Sequence, residues 1–506
     1  FLFQKVAREI YKTENIDSCA RLCHASTCYA LKEAFGISAM PHAMLKDIKN
    51  ADCILITGSN PKSNYPVAFN KILDAKKKGC KIICVKQTED ETTEYADIFV
   101  KIYPGSHIIF LNGVLNELVL RNNVKVEEKI SEFLMKYTEK YVCELCRIKK
   151  NDFRKVVDEI EKSKNFCLMY GMVLTQHTYG VENVFSAANL VIAKNGKIIP
   201  MRGKANIQGV QDMGLVPGKN GNTIIESVFL YPSKAFWILE TNPAQSMPDL
   251  NKVHKVFRKA FIVLQCSYKN LTMEFSDVVL PSSSFAEVDG TFTSAESRVR
   301  YFKNAINPLF DSKPNWVILK EFAKYVGKHY NYTNTLSITK DIIKNVVGYN
   351  KINIEKLIKG ESQFVERVIR FKKYHVAEFE GFEEPTSKDY PFILSTARRP
   401  YQFCTSDMSV SSKKLREISH PECFISEENG KEIGLEDGEL ICLVSRVGKI
   451  KTNVRLSKKV PKNLIIVPYH YRNILVNKLI PIEFSPVVYE PNLKKAAVRV
   501  EVCKRK

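Results

Sequence analysis

The feature that most constrains the fold is a rhythm. A short, continuous apolar run is followed by a turn rich in Gly, Ser, Thr, Asn and Pro, and then by an amphipathic helical stretch. The runs are "DCILITG", "KIICVKQ", "FCLMYGM", "AFWILET", "AFIVLQC" and "SDVVLPS". None alternates apolar with polar, so each reads as a parallel strand covered on both faces. The chain is therefore expected to be α/β, with doubly wound parallel sheets. Ligands of such sheets bind beyond the carboxyl ends of the strands, and the turns there ("GSNPKSN", "YGMVLTQH", "ETNPAQSMPD", "PSSSFAEVDGTFT") are more numerous than one mononucleotide needs.

A lysine-rich stretch, "NVVGYNKINIEKLIKGESQFVERVIRFKKYH", reads as helical. From Tyr390 short strands and tight turns take over: "YPFILSTA", "ELICLVSRVGKIKTNVRL", "NLIIVPYHY" and "KKAAVRVEV". The hairpin-like "SRVGKIKT" and the alternating Val and Leu positions predict a closed or partly closed β domain. At 506 residues the chain is long enough for about three domains, with clefts between them. No apolar run approaches a membrane span of roughly 20 residues, and no secretory leader is evident.

The net charge of +21 comes from lysines spread along the whole chain rather than gathered into an arm. That distribution does not predict a nucleic-acid-binding protein; it suits a generally lysine-rich surface first, and a polyanionic cofactor or an acidic redox partner as the alternative. The 14 cysteines lie largely in apolar strand-like runs, as free thiols in a reducing cytoplasm would. "CELC", at Cys143 and Cys146, has redox-motif spacing, but it stands in a charged helical context without a second pair.

The segment "DSCARLCHASTCYALKEAFG" places Cys19, Cys23, His24 and Cys28 where a loop feeds a helix. A structural thiol cluster, a metal site and a reactive thiolate all remain open on spacing alone. Adjacent Cys23 and His24 diverge, which disfavours tetrahedral zinc, and a Cys19–Cys23 disulfide is awkward at a helix start. Further along, "PMRGKANIQGVQDMG" sets Arg202 in a glycine-bounded loop, where a guanidinium forks onto a carboxylate. There is no G-x-G-x-x-G and no P-loop motif.

Taken in order, "CARLCH", "GSNP", "PGSHIIFLNG", "YGMVLTQHTYGVENV", "RGKANIQGVQDMG", "DVVLPSSSFAEVDGTFTSAESR", "LSTAR" and "PECFISEENGKEIGLEDGE" resemble the catalytic subunits of molybdenum or tungsten formate dehydrogenases, in the molybdopterin oxidoreductase family. The resemblance runs through essentially the whole chain. It implies a metal held by Cys23, with His24 and Arg202 completing a catalytic site at which formate is oxidised reversibly to CO2. It implies two pyranopterin guanine dinucleotides, contacted at Gly58, Asn60, Gly105, Gly171, Gln176, Asn242, Thr396 and Lys494. A [4Fe–4S] cluster is expected only in a segment upstream of Phe1, and an electron-transfer partner subunit, an iron–sulfur or flavin protein, in the cytoplasm. Cys19 and Cys28 are expected to be bystanders.

The implied organisation has a discontinuous pterin-binding α/β domain (residues 1–18 and 205–340) and a Rossmann-like α/β domain (19–204) carrying the active-site cysteine. A linker or helical region (341–388) and a C-terminal dinucleotide-binding β-barrel of double-psi type (389–506) follow. The family's D-P-R after the second strand is here Lys86, Gln87 and Thr88, and its histidine after N-P is Tyr65. Formylmethanofuran dehydrogenase catalytic subunits resemble the same motifs, and a non-catalytic scaffold is the alternative of another class.

Overall fold

The computed structural model describes residues 1–41, 43–382 and 386–503. Its first sheet is wholly parallel: β1 Cys53–Thr57, β2 Lys81–Lys86, β3 Ile98–Lys101, β4 Phe166–Tyr170 and β5 Lys197–Pro200, in the order β3-β2-β1-β4-β5. Every residue of β1 and β4 is buried, which is what continuous apolar runs require. One face packs on the helices His107–Leu120 and Gly180–Ala193, the other on Met44–Lys49 and Pro66–Lys76. Strand order reverses between β1 and β4, so the crevice at their carboxyl ends is the natural ligand position. Gly58 and Gly171 follow those two strands.

A second parallel sheet consists of β6 Ala235–Leu239, β7 Phe261–Cys266 and β8 Val278–Pro281, in that order. It repeats the first sheet in detail. After β1, Asn60 starts the helix Pro61–Asn64 and its Oδ1 accepts from Thr92 Oγ1 at 2.7 Å; after β6, Asn242 starts the helix Pro243–Ser246 and its Oδ1 accepts from Thr272 Oγ1 at 2.9 Å. Asp97 accepts from Ile82 N at 2.8 Å, and Asp277 accepts from Ile262 N at 2.7 Å. The second sheet departs from the expected two-sided cover at β8, where Val278 and Val279 are exposed on a strand that, among the described residues, pairs with β7 alone and forms the sheet edge.

A small antiparallel sheet, β9 Gly290–Thr293, β10 Arg298–Phe302 and β11 Gln363–Phe364, follows. The last six strands are β12 Phe392–Ala397, β13 Glu422–Ser426, β14 Leu440–Ser445, β15 Lys449–Ser457, β16 Leu464–Pro468 and β17 Ala496–Val502. They close into a barrel in the order β12-β16-β13-β15-β14-β17, which leaves no sheet edge. β14 and β15 form the expected hairpin, and alternate residues of β15 are buried through most of its length.

The stretch expected to be helical over 345–375 is helical only at Asn345, where the helix Thr335–Asn345 ends, and at Ile354–Ile358. Beyond β11 the chain runs as an extended strap along the first α/β unit, because its hydrogen bonds go to that unit rather than to itself. Arg370 N and Lys373 N donate to Phe35 O and Ala34 O, and Asn112 donates to Ala377 O at 2.8 Å. Asn189 bonds both backbone groups of His375, at 2.6 and 3.0 Å, while the His375 ring stacks on Phe185 at 4.1 Å. Asn189→Ala leaves both groups unpaired and is expected to cost about 2–3 kcal/mol. A lowered thermal midpoint, with faster amide exchange first in residues 365–382, is the measurement that checks it.

Candidate active site

A 3-10 turn, Cys19–Leu22, delivers Cys23 and His24 to the start of the helix Ala25–Phe35. The loop after β4 holds this turn in place. Gln176 donates its side-chain amide to Leu22 O, Thr175 Oγ1 donates to Cys23 O at 2.7 Å, and Met172 Sδ lies 3.2 Å from Cys23 Sγ. Gly171 sits so close to the first strand's loop that a Cβ on it would lie 2.6 Å from Gly58 O. Gly58 has φ of +57°, and a Cβ there would meet Val173 at 2.7 Å, so both positions need glycine.

His24 is wholly buried. Its Nδ1 lies 3.0 Å from Thr27 Oγ1, which lies 3.0 Å from the Tyr170 hydroxyl, while its Nε2 has no hydrogen-bond partner. Burial, helped by the nearby Arg202 charge, pushes the imidazole down to about 3, so the ring is neutral. Arg202, on the loop after β5, is also buried. The helix Ile207–Asp212 of its own motif folds back onto it: Nη1 donates to Gln208, and Nη2 to Gln211 at 3.0 Å and Cys28 Sγ at 3.2 Å. Arg202 Nε is left without a partner. Cys28, expected to be a bystander, is thus an acceptor for Arg202, because one helical turn brings its thiol round to the side His24 faces. Cys19 is exposed.

Burial pushes the Cys23 thiol up to about 12, so its thiolate needs a cation beside it. Among the described residues no group of three or more His, Cys, Asp or Glu could hold a metal ion. A metal at Cys23 would therefore draw most of its ligands from a bound organic group. One protein thiolate, two buried and unpartnered nitrogens and a glycine-lined crevice at the strand-order reversal fit a metal carried by a pterin dinucleotide.

The other expected contacts lie in the loops around this point. Lys494 Nζ donates to Thr396 O at 3.1 Å and Oγ1 at 3.2 Å; burial lowers it to about 8, and the Cys23 thiolate acts in the opposite sense. Asn60 and Asn242 stand at matching ends of the two sheets, bonded to Glu91 at 2.6 Å and to Asp407 at 3.1 Å. Gly105, at φ +87°, precedes the helix His107–Leu120, and its carbonyl accepts from Tyr179 at 3.0 Å. Where the family has D-P-R, Lys86 pairs with Asp90 at 2.8 Å, closing the loop after β2. The Tyr65 hydroxyl donates to Met201 O beside Arg202.

Sequence reasoning did not find Glu490. Wholly buried, it accepts from Ser26 N at 2.7 Å at the start of the helix that follows His24, and burial pushes its carboxyl up to about 8. The one sequence signal is an acid inside "VVYEPNL". A folded pKa above the unfolded value stabilises the fold below the ordinary carboxylate range of roughly 4 and loses that stabilisation as pH rises to about 8. Between pH 5 and 8 the thermal midpoint of the unsubstituted protein is expected to fall relative to that of Glu490→Gln. Parallel midpoint curves would refute this.

Residues 1–325 match the profile of the molybdopterin oxidoreductase family, and residues 392–497 match that of the molydopterin dinucleotide binding domain. A formate dehydrogenase subunit alpha of Methanocaldococcus jannaschii is 31% identical, over 99% of this chain and 84% of its own length. Formate dehydrogenase H of Escherichia coli is 26% identical, over 99% and 80%. Acetylene hydratase from Pelobacter acetylenicus shares the fold, with a TM-score of 0.82 at 15% identity over 97% of this chain and 82% of its own. With both parallel sheets inside the first match and five of the six barrel strands inside the second, the chain belongs to the molybdopterin oxidoreductase family.

Proposed function

We propose that this chain is the catalytic subunit of a formate dehydrogenase, oxidising formate reversibly to CO2, a proton and two electrons. The observation that carries this reading is that two buried nitrogens without a side-chain partner, Nε2 of His24, the residue next to Cys23, and Nε of Arg202, belong to groups whose surroundings are shared with Cys23, the Arg202 charge being felt at both Cys23 and His24. A small planar anion suits such a pair. The Arg202 guanidinium would hold the formate carboxylate through Nε and Nη2, the latter exchanging Gln211 for substrate, by paired charge-assisted hydrogen bonds. His24, neutral in its buried setting, would fix one formate oxygen without adding a second positive charge.

Cys23 would be the protein ligand of a molybdenum or tungsten bis(pterin guanine dinucleotide). Gly58, Asn60, Gly171, Gln176 and Gly105 on one side, and Asn242, Thr396 and Lys494 on the other, would receive its two dinucleotides. The repeated Asn-Pro turns after β1 and β6 support two equivalent ligand halves. When bound, the group supplies the centre that accepts the electron pair of the formate C–H bond. The electrons would then leave singly, through an iron–sulfur centre to a partner subunit.

Formate-driven viologen reduction by the metal-loaded holoenzyme tests the proposal, and no activity from protein that contains Mo or W and pterin would sink it. Arg202→Lys keeps the charge but loses the fork. It is expected to lower kcat/KM for formate by about 100-fold or more while metal and pterin content stay unchanged. Cys23→Ser is expected to abolish turnover, with growth on metal-depleted medium giving the same result for the unsubstituted protein.

A further inference from the structure

We infer that Cys442 and Cys503 are a reversible dithiol–disulfide site, closed by exchange with an anionic low-molecular-weight disulfide, that ties the end of β17 to β14. The inference is independent of the formate reading. The two Sγ atoms lie 3.1 Å apart, although the residues are 61 positions apart in the chain. The barrel brings them together. Cys442 of β14 pairs in register with Glu501 of β17, and Cys503 follows Glu501 by two residues, so both thiols fall on one face of the sheet. That face is the outside of the barrel, because Ile441 and Leu443, on either side of Cys442, belong to the barrel core.

Two thiols in contact serve either as metal ligands or as a bonding pair, and the geometry favours the bond. Thiolates on tetrahedral zinc, each about 2.3 Å from the metal, stand roughly 3.8 Å from one another. Among the described residues no group of three or more His, Cys, Asp or Glu could hold a metal ion. A disulfide requires only about 1 Å of further approach. Cys503 lies one residue past the end of β17, outside its ladder, where the backbone can supply that movement.

The surroundings select the reagent. Cys442 is only 4% exposed and Cys503 is half-buried, so a reagent meets Cys503 first. Lys451 pairs in register with Cys442, while Lys449 and Arg499 both hold Glu501, at 2.7 and 2.8 Å, which leaves this wall net positive. Burial and the adjacent Cys503 thiol push the Cys442 thiol up, and Lys449 and Lys451 act in the opposite sense. A small disulfide that carries carboxylates suits such a wall. Cys503 Sγ, having lost its proton, attacks one sulfur of the reagent and releases the first reagent thiolate; Cys442 Sγ, likewise deprotonated, attacks Cys503 Sγ and releases the second. Two protein thiols become one disulfide, one reagent disulfide becomes two thiols, and the two protons lost by the protein balance those the released thiolates take up. The new bond adds a covalent tie at the far end of the strand that follows Lys494.

The test treats the full-chain holoenzyme with oxidised glutathione and maps its peptides by mass spectrometry without reduction, with an added thiol peptide as the control for reagent activity. The expected product is a linked Cys442–Cys503 peptide pair that excess reduced glutathione reopens. Amide exchange in Ala496–Val502 is expected to slow by about tenfold or more in the linked protein. Cys442→Ser removes the second thiol and is expected to leave a stable glutathione adduct on Cys503, whereas Cys503→Ser is expected to leave Cys442 unmodified. Both thiols unreacted while the control peptide reacts, a persistent glutathione adduct in the unsubstituted protein without the link, or a link that leaves exchange unchanged overturns the inference.

Discussion

The arrangement of the site depends on how the short turn before Cys23 is tied down. Its last carbonyl, of Leu22, and that of Cys23 just beyond it accept from the side chains of Gln176 and Thr175, and the helix that follows is bonded at Ser26 by Glu490. Those three partners come from the loop after β4 and from the segment leading into β17. Leu22 packs against both the barrel core and the core of the second sheet. One turn of four residues is therefore where the α/β units and the barrel meet, and the metal-ligand candidate is the residue that leaves it.

The internal repeat gives this meeting point its shape. Two sheets with the same Asn-Pro turn, the same threonine bonded to that asparagine and the same aspartate closing the next connection present equivalent carboxyl ends. Buried charge within this frame is handled by pairing or by neutrality. Lys86 is paired with Asp90, His24 is neutral, and burial pushes the Glu490 carboxyl toward its protonated form. His24 Nε2 and Arg202 Nε are among the buried side-chain atoms that have no hydrogen-bond partner.

Much of this was legible before any coordinates. The apolar runs of the two sheets became parallel strands because continuous hydrophobicity fits only a strand covered on both faces, and the alternation in β15 reads directly as one wall of a barrel. The stretch 345–375 misled because lysines and isoleucines at helical spacing fit an extended strap equally well once Ala34, Phe35, Asn112 and Asn189 supply its hydrogen bonds. β8 was read as covered, but burial is a property of neighbours and an edge strand lacks one. Cys28 looked idle because adjacency in sequence says nothing about which thiol faces an arginine 174 residues away.

The sequence by itself determined the layers, the polar loops at the carboxyl ends of the strands and the residue types able to bind a metal and an anion, since these follow from periodicity and from side-chain chemistry. Only the tertiary structure decided which of those residues meet. The closure of the loop after β4 over Cys23, the return of Gln208 and Gln211 onto Arg202, the burial of Glu490 and the row from Tyr170 to His24 all join segments distant in the chain. Desolvation and hydrogen-bond direction arise from such contacts, and they set the protonation of His24, Cys23 and Glu490, which no local pattern of residues encodes.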